Sequence, residues 1–235
     1  KLLEDETTAT AQDTWVMFKE QILPNLNNNI ICGNSLIGTD ILDGNLFERE
    51  DELKLKPMNF EDAFPEVMKK GGFDAIVGNP PYLGGREWKE SNGRQYEYFI
   101  QHYESIEYQF DIYNVFWERA IKSCNKKGII GFITPNTWLN NKSNYKLRTF
   151  LLSNTFIKSI VDYSNVSVFK GAVVLPIITI LAKLKNDNER TVIYVPENNE
   201  LRLVNEIDQR VWEAHELNIF NIALNLKAIE IQNKI

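Results

Sequence analysis

The 235 residues include only two cysteines and two histidines. Cys32 and Cys124 cannot frame a disulfide scaffold or supply a metal-ligand spacing, and they suit a reducing cytoplasm. His102 and His215 have no partner at ligand spacing, so no metal is expected. No uncharged apolar run is long enough to span a bilayer; the longest, residues 171–182, stops far short, so no membrane partner is expected. The opening KLLEDETTAT lacks the basic and apolar regions of a signal peptide. It also lacks an initiator Met, so the chain is expected to be a piece of a longer polypeptide. The 26 basic and 32 acidic side chains leave a net charge of −6. That argues against a polybasic coat, although a local basic groove can sit on an acidic body. There are twelve glycines, yet no two are separated by a single residue, so no G-x-G loop exists anywhere.

What is present is ordinary globular material, 43% hydrophobic and 25% charged, which disfavours disorder and coiled coils. Short apolar runs alternate with amphipathic stretches, the pattern of strands separated by helices. Helices are predicted over residues 14–23, 60–70, 111–123, 145–152 and 219–231. Strands are predicted over 30–32, 73–78, 128–133, 156–161 and 175–181. The last two strands read as uniformly apolar, as expected when both sheet faces are covered. The predicted class is α/β with a mostly parallel sheet.

The most informative tetrapeptide is Asn79-Pro80-Pro81-Tyr82. Consecutive prolines cannot continue a strand, because each lacks an N–H and fixes φ, so the chain enters a stiff extended turn. Following strand 73–78, that turn lies at the carboxyl end of a sheet, where open α/β folds bind ligands. Outward carbonyls can accept both hydrogens of an amino group while the aromatic ring stacks nearby. The plain alternative is a structural turn with a buried Tyr.

FDAIVGNPPY, residues 73–82, resembles motif IV of the amino-group DNA methyltransferases. Four further blocks fall in that family's order: ICGNSLIGTD (31–40), DIYNVFWERA (111–120), GIIGFITPNTW (128–138) and the stretch 145–180, with LR at 147–148 and SVFKGA at 167–172. The arrangement is most similar to the γ-class adenine enzymes, especially the fused restriction–modification enzymes of the Eco57I type. The resemblance implies a partial Rossmann-like, S-adenosylmethionine-dependent methyltransferase fold. It implies methyl transfer to adenine N6 in double-stranded DNA, with the target adenine flipped out of the stack.

By the same resemblance, the side chain of Asn79 and the carbonyl of Pro80 hold the amino group, with Pro81 stiffening the turn and Tyr82 stacking on the base. Phe169 closes the other side of the base pocket. Asn34 takes the place of a family Asp that holds the cofactor's adenine, and Asp111 and Tyr113 border the cofactor pocket. The family's glycine-rich cofactor loop has no counterpart here, so the first two strands are expected upstream, as a missing N-terminal part of the same enzyme. Residues 1–45 are then expected to stand apart from the strands near 76, 130, 158 and 178. The expected organisation is an N-terminal helical segment (1–28), a partial catalytic core (29–185), and a linker with the start of a target recognition domain (186–235). Alone, the fragment is expected to be inactive.

Other features admit plainer readings. Glu52-Leu53-Lys54, with Asp43 upstream, contains a nuclease-like E-x-K but lies in a charged, Pro-interrupted segment that reads as a solvated loop. Trp88, Tyr96, Tyr98, Phe99 and Tyr103 form either a stacking surface for DNA or the packing of a loop onto the core. Lys142, Lys146 and Arg148 face phosphates or plain solvent, while core packing is the default for Tyr113 and Phe116 taken alone. Two rivals stand beside the main reading: a protein glutamine-N5 methyltransferase, which also uses NPPY, and a non-catalytic DNA-binding or assembly fragment.

Overall fold

The computed structural model of the chain describes residues 29–43, 49–166, 174–184 and 189–223. The predicted helix at 14–23, Phe169 and most of the predicted helix at 219–231 lie outside them; residues 219–223 are not helical. The chain divides into two compact units, residues 1–33 and 34–235. In the first, residues 30–32 form no strand, and Ile30 and Ile31 are exposed at 71% and 39%. Three apolar residues become a strand only where a neighbouring ladder satisfies their backbone, and among the described residues none does.

In the second unit, six strands form one sheet in the order β1–β2–β4–β3–β5–β6: β1 (Phe73–Gly78), β2 (Cys124–Pro135), β3 (Phe156–Asp162), β4 (Pro176–Ala182), β5 (Thr191–Glu197) and β6 (Glu200–Ile207). The pairings β1–β2 and β3–β5 are parallel, while β4 runs antiparallel to β2 and β3, and β6 to β5. Four strands therefore share one direction, and the class is α/β as predicted. Gly71 and Gly72, at φ of 96° and 115°, turn the chain into β1. Residues 126–128 lie inside β2 as an irregularity: Phe73 pairs with Cys124 but Ala75 with Ile129.

Helices are α1 (Arg49–Leu55), α2 (Phe60–Ala63), α3 (Pro65–Lys69), α4 (Gly85–His102), α5 (Ile112–Ser123), α6 (Tyr145–Asn154) and α7 (Arg210–Glu213). The single helix predicted over 60–70 is divided at Phe64, where Pro65 begins a new first turn. One core gathers Trp117, Phe132, Trp138, Leu147, Ile160 and Leu181, and the ring of Trp212 stacks on Phe220 at 4.4 Å within it. β5, β6, α7 and Phe220 thus belong to the same compact unit as β1.

A second core joins Tyr96 and Phe99 of α4 and the Tyr103 that follows it to Phe110, Ile112 and Val115 and to Leu36, Ile37 and Ile41. The separation expected for residues 1–45 therefore does not extend to 36–41. The aromatic cluster of 88–103 is largely packing, with Trp88 stacked on Phe99 at 6.4 Å. Among the described residues only one sheet face is closed. Ile130, Phe132, Ile177 and Leu181 are buried, whereas on the intervening positions Ile178 and Ile180 are half-buried and Ile129 is 36% exposed. β1 pairs on one side only among the described residues, and Val77 on it is 85% exposed.

Candidate active site

β1 ends at Gly78, and the two prolines carry the chain away from the sheet toward Gly84, which bridges Asp111. The Gly85 N–H donates to the Phe110 carbonyl at 2.6 Å, and the Ile112 N–H donates to that of Leu83 at 2.9 Å. The turn is thereby pinned between the end of a strand and the start of α5. Asn79 and Pro81 are exposed, Pro80 is buried and Tyr82 is half-buried.

The Tyr82 hydroxyl donates to the Ile133 carbonyl at 3.2 Å, and its ring meets that of Tyr113 edge-on at 6.5 Å. Tyr113 in turn donates to Asp111 Oδ2 at 2.8 Å and lies 3.5 Å from Thr137 Oγ1. Burial pushes the Tyr82 and Tyr113 phenols up, so both remain neutral donors. Burial also raises the Asp111 carboxyl, and the Tyr113 hydroxyl bond partly opposes it. This chain of contacts fixes the Tyr82 ring from its hydroxyl end and its edge, leaving Asn79 free to meet a ligand.

Asn79, Pro80 and Pro81 form part of the wall of a cavity of about 540 Å³. Apolar walls come from Phe73, Ile76, Phe116 and Phe132, and polar groups from Ser35, Asn79, Ser123 and Arg119. The Arg119 guanidinium lies over the Phe60 ring at 4.4 Å, and its Nε is buried without a hydrogen-bond partner. The size, the apolar walls and a few polar groups suit a small ligand with a flat heterocycle. Among the described residues the lining holds no carboxylate.

The other predicted residues are placed differently. Asn34 Oδ1 accepts from the Leu36 N–H at 3.1 Å, and Nδ2 donates to Gln95 Oε1 at 3.4 Å; its neighbour Ser35 lines the cavity instead. Asp111 opens onto a second cavity of about 550 Å³, while Tyr113 is buried between Asp111 and Tyr82. Phe116, given above as core packing, is half-buried on the wall of the first cavity. Its signal was legible: 116, 119, 120 and 123 form a second helical stripe beside the 113, 117, 121 core stripe.

The remaining candidates resolve simply. Arg148 is fully buried and donates to the carbonyls of Trp138, Asn141 and Leu217, so it meets no phosphate. Lys146 pairs with Glu107 at 3.1 Å. Glu52 to Lys54 lie in α1 with Leu53 exposed. His102 stacks on Tyr98 and faces Asp40 at 3.3 Å. Among the described residues no group of three or more His, Cys, Asp or Glu could hold a metal ion, and no helix is long and apolar enough to cross a membrane.

Comparison with known proteins follows the same lines. A family model described as "Eco57I restriction-modification methylase" matches residues 3–169. The chain is 32% identical over 189 residues to the type II restriction enzyme and methyltransferase RM.Eco57I of Escherichia coli, covering 80% of this chain and 17% of that protein. It is 31% identical over 147 residues to a putative type II restriction enzyme and methyltransferase, RM.MjaORFECS2P, of Methanocaldococcus jannaschii, covering 61% and 11%. To the type II methyltransferase M.PaeR7I of Pseudomonas aeruginosa it is 30% identical over 115 residues, covering 48% and 20%. The chain thus spans a fifth or less of the length of these curated relatives.

Proposed function

The chain belongs to the Eco57I restriction–modification methylase family, and from that premise we propose that it is catalytic-domain polypeptide of a DNA methyltransferase acting on adenine N6. The observation that carries the reading is the Asn79–Tyr82 turn, set at the carboxyl end of β1 on the wall of a cavity of about 540 Å³. S-adenosylmethionine, when bound, supplies a methyl group on a positively charged sulfur. The cavity suits its adenine ring: Phe116 and Ile76 offer apolar faces, and Ser35 and Arg119 offer polar edges. The described lining holds no carboxylate to pair with the ammonium group.

The residues present then act as follows. The Asn79 side-chain oxygen and the Pro80 carbonyl accept the two hydrogens of the adenine amino group. Both bonds draw the nitrogen toward tetrahedral geometry and localise its lone pair, aimed at the methyl carbon. The methyl group would come from the bound sulfonium, whose sulfur would leave as a neutral thioether, and the amino group would release one proton to solvent. Tyr82, held at its hydroxyl by Ile133 and at its edge by Tyr113, stacks on the extruded base. The buried Pro80 keeps this acceptor from swinging. The open edge of β1 and the half-open sheet face receive further polypeptide of the same enzyme, which brings the remaining cofactor contacts.

The test is transfer of tritiated methyl by the full-length enzyme to DNA and to protein, with digestion of the labelled DNA to nucleosides. Label in N6-methyldeoxyadenosine is expected. Label in protein glutamine, or in methylcytosine, would overturn the reading.

A further inference from the structure

The second cavity, which Gly84 and Asp111 both line, is not used by the chemistry above. It measures about 550 Å³ and includes Arg86, Lys89, Tyr108, Asp111, Asn141 and Ser143 in its walls. Arg86 and Lys89 lie in the first turns of α4, four and seven residues after Tyr82, and both are exposed. Among the described residues neither has an ion-pair partner; the Lys89 ammonium rests 5.1 Å from the Tyr96 ring. Tyr108 is 80% exposed although its backbone is fixed, because its carbonyl accepts the buried Tyr96 hydroxyl at 2.9 Å. A large aromatic ring is thus held out in solvent from an anchored position, beside two unneutralised cations.

These elements match the parts of one nucleotide. Two cations suit a phosphodiester, a free ring offers a stacking face to any base, and amide and hydroxyl groups at Asn141 and Ser143 suit base or sugar edges. Asp111 opposes a phosphate. However, its Oδ2 already accepts from Tyr113, and its other oxygen accepts an amino hydrogen as a base edge supplies one. We infer that this cavity binds a nucleotide of the DNA strand flanking the reacting base, with Arg86 and Lys89 on the phosphate and Tyr108 on the base. It rests on the DNA methyltransferase reading. The site grips the strand next to the turn and so helps to hold the extruded base in reach of Asn79.

The test uses the full-length enzyme and a fluorescein-labelled oligonucleotide duplex, with binding followed by anisotropy across a salt series. In R86Q/K89Q the slope of log affinity against log salt falls by about 0.9, since both cations sit on one phosphate and each neutralised phosphate contributes about 0.9. Tyr108→Ala weakens binding about tenfold, and Tyr108→Phe restores it, as expected for stacking. An unchanged slope in R86Q/K89Q, or wild-type affinity in Tyr108→Ala, overturns the inference. Methylation of DNA alongside an unchanged slope sinks this inference alone, whereas wild-type enzyme that labels only protein sinks the reading beneath it.

Discussion

Replacing Arg148 with Met removes a buried strut that the sequence alone leaves open as a phosphate contact. Its Nη1 donates to the carbonyls of Trp138 and Asn141, both at 2.7 Å, and Nη2 and Nε donate to that of Leu217 at 3.0 and 3.2 Å. Asn141 is exposed, so its carbonyl regains water in the variant, but those of Trp138 and Leu217 lose a charged donor in a largely buried setting. Each unpaired buried carbonyl costs about 1–3 kcal/mol. Against this, the guanidinium no longer bears its own desolvation cost, the same burial that lowers its pKa to about 10. The net expectation is a loss of about 3 kcal/mol. Arg148→Lys keeps the charge but not the planar fork that spans three carbonyls, and falls between the two. Urea unfolding followed by fluorescence of the buried Trp117, Trp138 and Trp212 measures it. A loss below about 1 kcal/mol at unchanged slope would show that this reasoning overstates what Arg148 holds together.

Other perturbations address the site. Tyr82→Ala in the full-length enzyme costs about 1–3 kcal/mol of stacking on the extruded base, while Tyr82→Phe loses only the Ile133 bond and is mild; unchanged 2-aminopurine fluorescence at the target position in Tyr82→Ala would remove the stacking role. Asp111 has a raised carboxyl pKa, so the folded chain disfavours its charged form. Stability from this group is therefore greatest below the unfolded value near 3.8 and declines as pH rises through the raised value. Asp111→Asn lacks that decline, so its thermal midpoint should exceed wild type at pH 7 and converge with it near pH 4; a constant offset would refute the assignment. The 235-residue chain by itself should bind S-adenosylmethionine only at millimolar level. Two or three absent polar anchors at about 1–3 kcal/mol each move a micromolar site (about −8 kcal/mol) that far, and micromolar binding by isothermal titration would mean the cofactor site is misplaced.

Local signals carried much of the fold. FDAIVG becomes β1 over the predicted residues because an apolar run ends in two prolines, and α5 follows a strong 3.6-residue period from 112 to 123. The misreadings have physical causes. Residues 30–32 look like a strand but have no ladder among the described residues, whereas β6 looks polar because it is an edge strand with most side chains in solvent. Arg148 is one of several cations until tertiary packing encloses it. In the site, the proline turn was legible because its chemistry is contiguous. The division of Asn79 and Asp111 between two cavities was not, since it depends on α4 folding across the Gly84–Asp111 bridge. The wall formed by Phe116, Arg119 and Ser123 was visible only as a second stripe on a helix whose first stripe already explained it.

The central claim is that Asn79 holds the amino nitrogen that receives the methyl group, and Asn79→Ala in the full-length enzyme tests it most directly. Single-turnover methyl transfer to DNA should fall by at least a hundredfold, the scale of losing one preorganised polar contact in a reacting site, while S-adenosylmethionine binding measured by titration stays near wild type. Near-normal transfer by Asn79→Ala would contradict the account.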